Sequence, residues 1–345
     1  MSPITTTIII TSLATGTVIT STSYHWLMAW IGLEMNTLSI IPIISKRHHP
    51  RATEAATKYF LTQAAASALI LFSSTINAWK SGTWDITQMT DTTSNILLTS
   101  ALAMKLGMAP MHFWLPEVLQ GSTMKTALII TTWQKLAPMA LMTLTANNLS
   151  MTTLILMGIL SAMVGGWGGL NQTQTRKLMA YSSIAHLGWM ATISTMMTNI
   201  MVLNLFMYLA MTTSMFFMLI LSKSNTIQDT ATAWTTSPTT TLMMMLTLLS
   251  LGGLPPLTGF IPKWLILEEL TMQNMTPTAT ILALSSLLSL YFYLRIAYTT
   301  TLTTSPNTTP TKHKWRFKPT PTTTPLTLAL PLSLFMLPIT PLILS

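Results

Sequence analysis

Leu251-Gly252-Gly253-Leu254-Pro255-Pro256-Leu257-Thr258-Gly259-Phe260-Ile261-Pro262-Lys263 is a run of helix breakers in the middle of a long apolar segment, 239–270. As one straight helix that segment would span about 48 Å, too long for a single crossing of a hydrocarbon core of about 30 Å. A helix broken at membrane depth persists only where protein or water satisfies the freed backbone groups. The run therefore predicts an all-α, polytopic membrane protein with an interior site beside the break. A second broken segment lies upstream at 95–119, where Gly107, Pro110 and Pro116 interrupt an apolar stretch. Pro110 and Pro116 are six residues apart, as are Pro256 and Pro262; Lys105 precedes the first pair and Lys263 follows the second. Broken helices in corresponding positions of two halves point to an ion or substrate site.

Composition supports the membrane reading. The 345 residues include only 17 Lys and Arg and 8 Asp and Glu, and 50% are apolar. Soluble domains carry roughly 25% charged residues, and this chain cannot furnish such a surface. The net charge of +9 is no nucleic-acid signature, because the basic residues are scattered rather than gathered in one stripe. Absence of Cys removes disulfides, Cys-ligated metals and thiol chemistry from this chain. The N-terminus has no basic region or cleavage-site pattern, so no removable targeting peptide is expected.

Eleven spans are expected, at 3–22, 24–45, 59–79, 95–119, 125–146, 150–170, 178–196, 200–221, 239–270, 277–298 and 325–344. With loops on alternating sides, thirteen of the 17 basic residues fall on one side and Lys80 alone on the other. By the positive-inside rule that split orients the chain. The broken fourth and ninth spans are five helices apart, which predicts an inverted repeat of five plus five helices: 1–148, then 149–300, then a basic loop and last helix at 301–345.

Three lysines, Lys105, Lys135 and Lys263, stay inside spans, together with Glu34 in the second. A charge at the helix centre costs about 2.5–3.5 kcal/mol on insertion scales, so these residues must face one another, a wet cavity or the bundle interior. One acid cannot neutralise three lysines as a static pair, although a structural Glu34–Lys105 ion pair remains the plain alternative. A desolvated lysine can serve as a protonatable station, and the four residues are read as a chain of proton sites. His186, with Ser182 and Ser183 one turn earlier, suits a proton shuttle about as well as it suits a packed core histidine; His112, beside the first break, is equally open.

His25, His48, His49 and His313 are expected near loops. Glu54 and Lys58 read as a surface i,i+4 pair in a basic loop, Glu117 as a helix-end charge or an entry group, and Glu268 and Glu269 as solvated acids. No metal-ligand spacing and no phosphate loop is present. The glycines at 165–169 read as close helix packing.

The runs EAATKYF (54–60), MKLGMAPMHFWLPE (104–117), GGLNQTQTRK (168–177), YSSIAH (181–186) and LGGLPPLTGFIPK (251–263) carry a specific resemblance. The chain resembles the antiporter-like membrane subunits of NADH:ubiquinone oxidoreductase (complex I), of the animal mitochondrial type, over essentially its whole length. The resemblance implies proton translocation coupled at a distance to quinone reduction elsewhere in the complex. It assigns Glu34, Lys105, Lys135 and Lys263 to the family's relay, and matches His186 to a position on its polar axis. It places NADH, FMN, Fe–S clusters and ubiquinone on other subunits, with none bound by this chain. It implies other membrane-arm and accessory subunits and phospholipids as partners, and no nucleic acid. The expected location is the mitochondrial inner membrane, with the N-terminus in the matrix and the C-terminus toward the intermembrane space. Two other readings remain: a stand-alone cation/proton antiporter of the same fold, and a proton-inactive structural subunit.

Overall fold

The computed structural model describes residues 2–47, 49–235, 237–301 and 324–341. His48, His313 and the basic residues Lys312, Lys314, Arg316 and Lys318 lie outside them. Fifteen α-helices run through the described residues, with no strand beyond two isolated bridges. They are α1 (Pro3–Thr22), α2 (Trp26–Ile44), α3 (Pro50–Ser81), α4 (Thr92–Leu106), α5 (Trp114–Gly121), α6 (Met124–Thr131), α7 (Trp133–Leu144) and α8 (Met151–Gly169), then α9 (Thr175–Ile193), α10 (Thr198–Ser222), α11 (Ile227–Thr232), α12 (Pro238–Gly252), α13 (Phe260–Met272), α14 (Thr276–Thr301) and α15 (Thr324–Leu334). The chain divides into two compact units. One comprises Met1–Ser161 and Met190–Thr198, the other Ala162–Trp189 and Asn199–Ser345.

Among the described residues six helices, α1, α2, α3, α8, α10 and α14, are individually long and apolar enough to cross a bilayer. The other five expected spans fall on helices that are broken (α4/α5, α6/α7, α12/α13), more polar (α9) or short (α15). Many of the spans are rich in Thr and Ser, whose hydroxyls mostly donate to carbonyls one turn back. Thr17 to Ala14 at 2.7 Å and Ser73 to Ile70 at 2.7 Å are two of many such bonds. This internal pairing lets a polar side chain sit in an apolar helix without an outside partner.

The two expected breaks have the same local construction. α4 ends on Gly107 at φ 80°, whose amide donates to Ala103 and Met104, and α12 ends on Gly253 at φ 79°, donating to Leu249 and Ser250. Glycine enters this left-handed region without a Cβ penalty. Three residues on, Ala109–Pro110 and Pro255–Pro256 are both cis peptides. A third break was not expected. Residues 125–146 form two helices meeting at Thr132 rather than one continuous helix. The Thr131 and Thr132 hydroxyls donate back to Ala127 and Leu128 at 2.9 and 2.6 Å, competing with the amide ladder and bending the helix.

Helix α3 begins at Pro50, nine residues before the expected span, so Glu54 and Lys58 lie on a helix rather than in a loop. Their pairing holds at 2.6 Å, but Lys58 also bridges Glu117 on α5 at 2.7 Å. Glu117 is therefore one end of a bridge between two helices. The glycines of α8 do pack closely within the second unit: a Cβ on Gly165 would lie 2.5 Å from the Ala185 amide, and one on Gly168 would strike the Tyr181 ring.

Lys80, at the end of α3, pairs with Asp91 at 2.7 Å, and Asp91 caps α4 through the Ser94 amide at 3.2 Å. The Lys80 ammonium, with the Thr93 hydroxyl and the Ser94 amide, outweighs desolvation and draws the Asp91 carboxyl from 3.8 down to about 2. A depressed carboxyl contributes stability that is complete above its unfolded value and is lost as pH falls through its folded one. Exchange protection of the Ser94 and Asn95 amides, corrected for intrinsic rates, should hold from pH 7 to about 4. It should weaken only between there and about 2. Weakening already above pH 5 would contradict this account of the cap.

Candidate functional site

In the first unit, breaks and packing bring several polar side chains to one cavity. It is lined by Asn36 and Thr37 of α2, Tyr59 and Gln63 of α3, Lys105 of α4, Trp114 of α5, and Gln134 and Lys135 of α7, with Leu33, Leu106 and Pro138 among the apolar walls. Lys105 sits in the last turn of α4 and is 5% exposed; Lys135 is 2% exposed. The backbone freed by the first break is satisfied by protein. Trp114 Nε1 donates to the Met104 carbonyl at 3.1 Å, and Gln63 Nε2 to that of Lys105 at 3.4 Å.

Glu34 stands one turn from the cavity wall. The Thr37 hydroxyl donates to the Glu34 carbonyl at 2.9 Å and lies 3.1 Å from its carboxylate. Because Thr37 also lines the cavity, it joins the acid to the lysines' chamber. Glu34 lies within electrostatic reach of Lys105 and Tyr59. Yet the described ion pairs involve only Lys58 and Lys80 with Glu54, Glu117 and Asp91. Lys105 Nζ has no hydrogen-bond partner there. The plain alternative of a closed Glu34–Lys105 bridge is therefore absent; the two charges feel each other without contact.

Tyr59, Gln63, Trp114 and Gln134 escaped the sequence reading as site residues. The Tyr59 hydroxyl donates to Gln134 Oε1 at 3.2 Å, tying α3 to the residue beside Lys135. Their one available signal was two glutamines in apolar spans. His112 packs in the first break, its Nδ1 3.2 Å from the Pro110 carbonyl and its ring tilted against Phe113. It does not line the cavity.

In the second unit, Lys263 reaches back across the second break from α13. Its ammonium donates to the Gly252 carbonyl at 2.8 Å and lies 5.9 Å from the centre of the Trp189 ring. The lysine thus caps the C-terminal end of α12, where the helix presents carbonyls. Trp189 belongs to a stripe on α9 with Ser182 and His186, spaced four and three residues apart on one face. His186 is 7% exposed and tilts against the buried Tyr208, ring centres 5.5 Å apart. Ser183 and Ser182 stand beside the phenols of Tyr208 and Tyr293. His186 is thus one member of a buried hydroxyl-rich cluster.

Among the described residues no group of three or more His, Asp or Glu could hold a metal ion. The cavity has polar groups on several helices and two lysines among its lining residues. This arrangement defines a polytopic membrane protein of the broken-helix class. The chain belongs to the NADH:quinone oxidoreductase/Mrp antiporter transmembrane family, whose sequence pattern matches residues 23–289; that of the NADH dehydrogenase subunit 2 C-terminus matches 290–344. Its relatives include NADH-ubiquinone oxidoreductase chain 2 of Varanus timorensis, 57% identical over 345 residues, and that of Xenopus laevis, 55% identical over 345 residues; each alignment covers 100% of both chains. Among solved structures, a chain of respiratory complex I from Thermus thermophilus superposes with a TM-score of 0.83 at 27% identity, covering 96% of this chain and 78% of that one. A chain of the Mrp complex from Dietzia sp. shares the fold, with a TM-score of 0.76 at 16% identity over 84% of this chain and 59% of that one.

Proposed function

We propose that this chain, an antiporter-like membrane-arm subunit of respiratory complex I, carries protons across the mitochondrial inner membrane through Glu34, Lys105, Lys135, His186 and Lys263. The observation that carries this reading is the shared cavity: two lysines line it, and the ammonium of Lys105 has no protein partner in it. A change of charge at Glu34, driven by a neighbouring subunit, alters the favourable state of Lys105 through space. Lys105 then exchanges a proton with Lys135. Lys263, held on the open end of α12, takes up or releases a proton at the second break, with His186 on the route. A side chain within reach of its proton partner is the first requirement of such a transfer, and the cavity places Lys105 and Lys135 on the same space.

NADH, FMN, Fe–S clusters and ubiquinone belong in this reading to other subunits. Partners are those subunits and phospholipids, and the N-terminus faces the matrix. The halves 1–148 and 149–300 act as the two repeats, followed by the basic loop and last helix at 301–345.

The test is proton uptake by purified complex in sealed vesicles during NADH oxidation. Lys135→Met and Lys263→Met should each lower coupled turnover by about 10²-fold or more, with the complex assembled. Unchanged pumping in either variant removes that lysine from the route. Unchanged pumping in both would leave the chain a proton-inactive structural subunit. Cation-dependent proton exchange by the isolated chain would favour the stand-alone antiporter.

A further inference from the structure

The first unit's cavity contains more unanswered hydrogen-bonding capacity than the relay residues account for. Asn36 is 2% exposed, and both its Oδ1 and Nδ2 lack a partner among the described residues. Lys105 Nζ and Gln134 Nε2 lack one as well. All three side chains line the same cavity, whose water-sized space is about enough for one water. A buried amide without partners is unfavourable, because it has lost its hydrogen bonds to water and gained none in return. Groups of this kind in native proteins are usually met by ordered water, which makes two to four hydrogen bonds.

Asn36 is also held in place. α1 and α2 cross at Gly16 and Gly32, where a Cβ on Gly16 would lie 2.5 Å from Asn36 Oδ1 and 2.9 Å from the Gly32 carbonyl. The amide oxygen thus packs against the backbone of α1, which leaves Nδ2 on the other side of the amide. On the next residue, Thr37 bonds Glu34.

We infer that Asn36 is a positioning residue for the proton step at Lys105: it holds, with Gln134, the water through which Lys105 passes its proton toward Lys135. The inference rests on the relay proposed above. With Oδ1 turned to Gly16, Asn36 Nδ2 donates to the water oxygen. The Lys105 ammonium gives a proton to the water as the water gives one to the Lys135 amine. The products are a neutral Lys105, a water and a charged Lys135, with no electrons exchanged. Asn36 keeps its own protons throughout, so its part is to fix the water's place and orientation. Such alignment governs how often reacting groups meet productively.

The experiment uses the intact complex in sealed vesicles, with Asn36→Leu, Asn36→Ser and Lys105→Met beside the wild type. Leucine matches the amide in size and removes both polar atoms. Serine keeps a hydroxyl and leaves room for a further water. Asn36→Leu should assemble, lower coupled proton uptake by up to about 10²-fold and shift the pH profile of turnover, while Asn36→Ser should restore most of both. A role in packing alone would favour the leucine and would leave the profile where it was. If Lys105→Met lowers pumping and Asn36→Leu does not, the inference fails and the relay stands. If Lys105→Met changes nothing, the relay fails and the inference with it. Should Asn36→Leu not assemble, a wild-type map that resolves waters elsewhere decides. Density within hydrogen-bond distance of the Asn36 amide supports the proposal, and its absence overturns it.

Discussion

Replacing Lys105 by methionine is expected to lower NADH-driven proton uptake by at least roughly tenfold while leaving the amount of assembled complex unchanged or raised. Lys105 is 5% exposed, its ammonium has no hydrogen-bond partner, and its nearest acid, Glu34, is not in contact. Methionine has a similar length and no charge to desolvate. Exchange of a buried charge for an apolar group of similar volume is often neutral or stabilising, so packing predicts no harm. General acid–base groups contribute about 10²–10⁴ in rate, so chemistry predicts a large loss. The opposed signs make the result diagnostic. Proton uptake in sealed vesicles, normalised to complex measured on native gels, checks it. An assembled variant that pumps normally would take Lys105 out of the mechanism.

Substituting Gly259 by alanine is expected to remove this subunit from assembled complex altogether. A Cβ there would come within 1.7 Å of the Ser250 carbonyl oxygen, 2.8 Å of its carbon and 3.2 Å of the Met211 sulfur. The first two are backbone atoms of α12, and Gly259 leads directly into α13, so relief requires the two half-helices of the second break to separate. Overpacking of this kind costs on the order of 3 kcal/mol or more. The displacement would also draw Lys263 off the Gly252 carbonyl and strain the contact of Thr258 with Ser333. Gly82→Ala makes the comparison. Gly82 has φ 72° with nothing within 4 Å of its absent Cβ, so its cost is confined to the left-handed backbone, about 1–2 kcal/mol. Quantifying assembled complex for both should show loss for Gly259→Ala and near-normal levels for Gly82→Ala; equal levels would refute the crossing as the cause.

Both breaks were legible before any coordinates. Glycine followed by proline inside an apolar run has few conformations open to it, and Gly107 with Pro110 and Gly253 with Pro256 adopt the same one. The charged residues were legible for a related reason: an ammonium in a membrane span is costly enough to be noticed one residue at a time. The break at Thr132 was not. Threonine is tolerated in membrane helices, and its choice between the amide ladder and a back-bond depends on packing. Glu117 was seen without its partner, because the lysine it meets lies fifty-nine residues away on another helix.

Length, hydropathy and the spacing of breakers act within one helix or one turn, so helix class and the position of the interior charges follow from the order of residues alone. The cavity does not. Asn36, Tyr59, Gln63 and Gln134 are neutral side chains whose presence in a span is cheap and unremarked. They acquire a role because α2, α3, α4 and α7 converge on one space. The unanswered amide of Asn36 depends on the crossing of α1 and α2 at Gly16 and Gly32, and Lys263 depends on an α12 carbonyl across a bend. Hydrogen-bond satisfaction is a property of what surrounds a group, and only packing in three dimensions supplies those surroundings.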